Sequence, residues 1–134
     1  FNIVYSISST PAGIISDRIG RRKVIVTGLI VFGLVYLGFA FSTQAIHIWI
    51  LFAIYGLYYG LTEGVLRAFA SDLLPSGIRA TGLGLLHTLT GVAVFPASLI
   101  TGILWQAISP VAAFSYGAMM ALLSAFLLIA LLRR

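Results

Sequence analysis

The sequence contains no cysteine, only three acidic residues, and very little charge of either sign for 134 residues. Without thiols there can be no disulfide, thiol nucleophile or cysteine metal site, and the redox compartment is left open. Charged residues make up 8% of the chain, against about a quarter in soluble domains. Such a chain could not cover a water-facing surface with polar groups. Hydrophobic residues account for 60%, and lipid is the solvent that this composition fits. The formal net charge of +5 is not a nucleic-acid footprint, because the bases sit in short connections and at the terminus rather than in one patch. No nucleic-acid partner, cofactor or metal is expected.

What is present is a series of long apolar runs. The sequence predicts five membrane spans, at about 1–16, 24–41, 47–71, 81–104 and 111–132, forming one all-α membrane domain over residues 1–134. The first run starts at Phe1 without a basic leader, so it is not a signal peptide. As a helix it is only about 24 Å long, short of the roughly 30 Å hydrocarbon core. We therefore expect a chain cut inside its first span, with a natural end at Arg133-Arg134.

Gly13 to Lys23 carries one acid, Asp17, and four bases, Arg18, Arg21, Arg22 and Lys23. Bases then alternate along the chain. They are absent from the turn at 42–46, return with Arg79, are absent from 105–110 and close the chain. By the positive-inside rule the first and third connections and the C-terminus are cytoplasmic. The second and fifth spans are apolar all round, whereas the third and fourth carry the polar residues and most of the glycine. Polar groups inside a bilayer turn toward protein or water, so the third and fourth spans are expected at the centre and the second and fifth at the periphery.

Glu63 and Arg67 are the ionisable pair well inside a span. Glu63 lies nine residues before Asp72, hence about 13 Å from the cytoplasmic boundary and near the midplane. A charge there costs roughly 2.5–3.5 kcal/mol on insertion scales. The i, i+4 spacing puts Arg67 on the same face, with Gly56, Tyr59 and Gly60 in the same stripe. The pair fits two roles: an ion pair that locks helices, or a site for a proton or a charged substrate. His87 falls at a similar depth on the next span, and histidine is the side chain whose charge changes near neutral pH. It fits either a Glu63–His87 relay or a buried imidazole with a local partner. His47 sits beside Trp49 at the outer boundary and reads as interfacial. Gly56, Gly60 and Gly64 make a small-xxx-small groove for close helix packing, with Tyr55, Tyr58 and Tyr59 around it. Pro96 should kink the fourth span, and Pro110 opens the fifth harmlessly.

The loop Gly13-x-x-x-Asp17-Arg18-x-Gly20-Arg21-Arg22 resembles the signature of the major facilitator superfamily, which follows the second helix of each six-helix half. The segment Asp72-Leu73-Leu74-Pro75, followed by Arg79-Ala80-Thr81-Gly82, resembles that family's loop between its tenth and eleventh helices. The resemblance covers the whole chain. It implies about the last four and a half of twelve helices, that is, part of the C-terminal six-helix half. It also implies a carrier, in the bacterial inner membrane, whose two halves rock around a midplane site. The partners implied are the bilayer, a small-molecule substrate and the N-terminal half of the same protein. For Gly13, Asp17, Arg18, Gly20, Arg21 and Arg22 it implies a gating loop, with Gly13 admitting a neighbouring helix.

Other classes fit less well. A hydrolase needs a nucleophile beside its base, and Ser98 lies about 16 Å from His87 along one helix, so no enzyme is expected. A small four-helix drug-exporting carrier places its acid in the first span, whereas Glu63 is in the third. A noncatalytic membrane scaffold remains as the third class.

Overall fold

The computed structural model describes residues 1–131. Leu132, with which the fifth predicted span ends, and the terminal Arg133-Arg134 lie outside the described residues. The chain folds into helices α1 (Asn2–Ile19), α2 (Arg21–Phe41), α3 (Ala45–Asp72), α4 (Arg79–Ala107) and α5 (Pro110–Leu131), with a short 3-10 turn at Ser76–Ile78. No strand occurs among the described residues. Among the described residues four segments are long and apolar enough to cross a membrane: Arg21–Phe41, Ala45–Asp72, Ser76–Ala107 and Pro110–Leu131.

The basic connection is far tighter than a loop. α1 continues through Ile19 and α2 begins at Arg21, so Gly20 alone separates them. Its φ of 97° is the one positive φ among the described residues, a conformation that glycine adopts without a Cβ penalty. The Gly20 N–H donates to the Ser16 carbonyl at 3.0 Å, and its own carbonyl accepts from Lys23 N–H at 3.1 Å. One residue thus ends one helix and starts the next. At the other end of the chain, Ser109 caps α5 by accepting the Ala112 N–H at 3.1 Å, one residue before Pro110. α4 runs unbroken through Pro96.

α2 holds the bundle together, packing extensively on both α5 and α3; α1 lies against α3, and α4 rests mainly on α5. Among the described residues no large side chain is fully buried, and the deepest apolar positions include Ala12, Ala113 and Ala118. In lipid the drive for helix association is close packing rather than escape from water, so small residues mark the contacts. Gly33 of α2 faces Ala118 and Leu122 of α5, and Gly28 faces Thr62 and Tyr58 of α3. Val24, Ile25 and Val65 form the buried apolar cluster between α2 and α3.

Among the described helices α2 packs most extensively, on both α3 and α5, while α4 has no buried residue. Polarity alone assigns a face to protein or water and does not say which. Here the polar face of α4 borders an open space, because α3 and α4 make few contacts with each other.

Candidate functional site

The gap between α3 and α4 is a cavity of about 530 Å³, closed behind by α2 and α5. That volume lies within the range of small-molecule sites. α3 supplies Tyr58, Tyr59, Thr62, Glu63 and Arg67 to its wall; α4 supplies His87 and Thr90; α5 adds Ser124 and α2 adds Leu29. Glu63, Arg67, His87 and Tyr59, predicted separately from depth and helical spacing, therefore line one cavity. No hydrogen bond joins Glu63 to His87 among the described residues. The described α4 face toward the cavity is Leu86, His87 and Thr90. On α4, Gly84 and Gly91 have nothing within 4 Å of where a Cβ would stand.

Glu63 is held from two sides. Arg67, one turn along α3, donates to Oε1, and Tyr5 of α1 donates its hydroxyl to Oε2 at 2.9 Å. The Glu63 side chain is 34% exposed and that of Arg67 54%, so the pair borders open space rather than a sealed core. Tyr5 was invisible to the sequence argument. It stands 58 residues from Glu63 in another apolar run, and no spacing rule links the two.

Tyr5 reaches Glu63 because α1 lies almost on the bare backbone of α3. A Cβ at Gly56 would stand 2.7 Å from the Phe1 carbonyl oxygen, and one at Gly60 would overlap Ser8 Oγ and stand 2.9 Å from the Tyr5 carbonyl oxygen. Gly64, the third glycine of the predicted groove, has nothing within 4 Å. Two of the three glycines therefore receive a helix. Around them the rings of Phe1, Tyr5, Tyr55, Tyr58 and Tyr59 form a cluster of mostly edge-on contacts, with centroids 5.3–6.2 Å apart. His47 is exposed beside a shallow hollow with Gly38 and Leu51.

The charged end is organised by Arg21. It pairs with Asp17 Oδ1 and with Asp72 Oδ2, both at 3.2 Å, and so ties the α1–α2 junction to the end of α3. Arg22 donates to the Ile129 carbonyl at 2.7 Å, reaching α5, and Arg18 is exposed. A Cβ at Gly13 would have nothing within 4 Å, so none of the described helices makes a close contact there.

The family model described as Major Facilitator Superfamily matches residues 1–134. An uncharacterized MFS-type transporter of Methanocaldococcus jannaschii is 47% identical over 129 residues, covering 96% of this chain and 32% of that protein. The facilitated glucose transporter member 2 of solute carrier family 2 from Gallus gallus is 36% identical over 102 residues, covering 73% of the chain and 17% of that protein. The cis,cis-muconate transport protein of Acinetobacter baylyi is 29% identical over 90 residues, covering 66% of the chain and 22% of that protein. The chain thus spans about a third or less of the length of these relatives. No solved structure matches it at a significant level.

Proposed function

The chain belongs to the Major Facilitator Superfamily, and from that premise we propose that it is the part of a secondary carrier that couples small-molecule transport to a proton gradient through Glu63. The protein works by alternating access, in the bacterial inner membrane, together with the N-terminal half of the same protein. It is a carrier and not an enzyme. The observation that supports the coupling role is the position of Glu63. The carboxylate borders a cavity large enough for a metabolite, with Arg67 on one oxygen and Tyr5 on the other. An acid at this depth is costly when charged, and its two donors offset that cost. Removal of its charge during the cycle would weaken both bonds. His87, across the same cavity, is the partner for proton exchange, and Tyr59 is a substrate contact.

The basic junction acts as the gate. Arg21 joins Asp17 to Asp72 and so holds one arrangement of α1, α2 and α3. The alternation of bases puts this end, and the C-terminus, in the cytoplasm.

Two relatives carry names of solutes that differ in charge, glucose and cis,cis-muconate, so both belong in the assay. The full-length protein in proteoliposomes is tested for accumulation of each solute, and of a wider panel, with and without an inward-acid pH gradient. Glu63→Gln should abolish pH-driven accumulation and keep exchange down a gradient. Full pH-driven accumulation by Glu63→Gln would end the coupling role. If Glu63→Gln instead lowers abundance and adding Arg67→Gln restores it, the pair is a structural lock, because the lone Arg67 is then the defect.

A further inference from the structure

The two donors on Glu63 differ in what they belong to. Arg67 is on the same helix, one turn away, and moves with the acid. Tyr5 is on α1, and its hydroxyl is the polar side-chain link from that helix to the cavity acid. An ionised carboxylate only accepts, so both oxygens can take a donor at once. A protonated one carries its own O–H on one oxygen, and the donor facing that oxygen then loses its charge-assisted bond. We propose that Tyr5 is a positioning residue of the carrier: its hydroxyl binds the anionic Glu63 and thereby ties α1 to the charge of the acid.

The groups that face Glu63 support this choice. From α1 there is Tyr5; from α3 itself, Arg67 and Tyr59; from α4, across the cavity, His87. α2 and α5 bring apolar side chains and the hydroxyl of Ser124 to the cavity, and no charged group. Arg67 cannot report a change in Glu63 to another helix, and His87 makes no bond to the acid. Tyr5 can do so. Its contact is maintained by the close approach at Gly56 and Gly60, which fixes α1 over the acid. Its ring is positioned independently of its hydroxyl, against Phe1 at 6.2 Å and Tyr59 at 6.1 Å, so removing the oxygen leaves the packing in place.

This inference rests on the coupling role proposed for Glu63, and one titration separates the two. Purified full-length protein is titrated while its carboxyl groups are followed by infrared difference spectroscopy. The protonated-carboxyl band absent from Glu63→Gln belongs to Glu63. A hydrogen bond donated to a carboxylate favours its charged form, so Tyr5→Phe should displace the midpoint of that band toward higher pH. Incorporation of 3,5-difluorotyrosine at position 5, a stronger donor of nearly the same shape, should move it the other way. That second variant serves if Tyr5→Phe is poorly folded. If Glu63→Gln removes no titrating band, Glu63 does not change charge, and the coupling role falls together with this inference. If the band is present but neither variant at position 5 moves its midpoint, the role of Tyr5 alone is refuted.

Discussion

Gly56, Gly60 and Gly64 are equivalent in sequence, and the structure makes them unequal, which a single methyl group can test. At Gly60 a Cβ overlaps Ser8 Oγ and stands 2.9 Å from the Tyr5 carbonyl oxygen and 3.0 Å from Ser8 Cβ. Ser8 is buried, with its hydroxyl committed to the Val4 carbonyl at 2.7 Å, so it cannot simply turn away. Relief requires α1 to shift as a body, and overpacking of this kind costs about 1–3 kcal/mol. Against it stands the gain of about 1 kcal/mol from replacing glycine by alanine inside a helix. With backbone as well as side chain in the way, the overpacking cost falls in the upper part of its range. Gly60→Ala should then be less stable than the parent by about 1–2 kcal/mol on these scales. Gly64→Ala, with nothing within 4 Å, keeps the propensity gain and should be neutral or slightly more stable. The assay is reversible unfolding of the full-length protein in detergent, by thermal shift or by denaturant. Ser8→Gly added to Gly60→Ala should recover part of the loss by removing the side-chain overlap, while the Tyr5 carbonyl contact persists. Equal stability of Gly60→Ala and Gly64→Ala would refute the assignment of α1 to the Gly56–Gly60 face.

Two further outcomes follow from the charged end. The Asp17–Arg21 and Arg21–Asp72 pairs are largely exposed, with Asp side chains 65% and 58% accessible, and such pairs contribute roughly 0–1 kcal/mol each. Asp17→Asn and Asp72→Asn should therefore leave abundance and thermal stability nearly unchanged while slowing transport. Normal transport by both well-expressed variants would reduce the junction to a topological signal. Orientation is tested with single cysteines at Ile19, Gly77, Thr43 and Ile108, all exposed positions near helix ends. Ser16 is unsuited to this, being only 2% exposed. An impermeant thiol reagent added outside intact cells should label Thr43→Cys and Ile108→Cys alone; labelling of Gly77→Cys would overturn the positive-inside assignment.

Much of the candidate site was legible because its members lie close together on one helix. Glu63, Arg67 and Tyr59 follow from helical periodicity, and the similar depth of His87 follows from the rise per residue. All four line the same cavity. Tyr5 was not legible, since it meets Glu63 through a contact between helices whose lateral distance no periodicity encodes. The same limit applies to α4. Its polar residues require something other than lipid, yet only the packing of α4 on α5, away from α3, decides that they face a cavity.

The sequence by itself determined the solvent, the number of helices and the family, because hydropathy, helix-breaking residues and the basic signature are all read along a line. Even so, the one-residue connection at Gly20 required the backbone, whose φ of 97° turns a predicted loop into a junction. Only the tertiary structure decided that α2 packs on both α3 and α5, that Gly56 and Gly60 receive α1 while Gly64 does not, and that Arg21 spans two acids from different helices. Each of these is settled by side-chain volume and shape where two helices meet. In lipid, where apolar faces gain little from choosing one another over acyl chains, composition leaves that choice open.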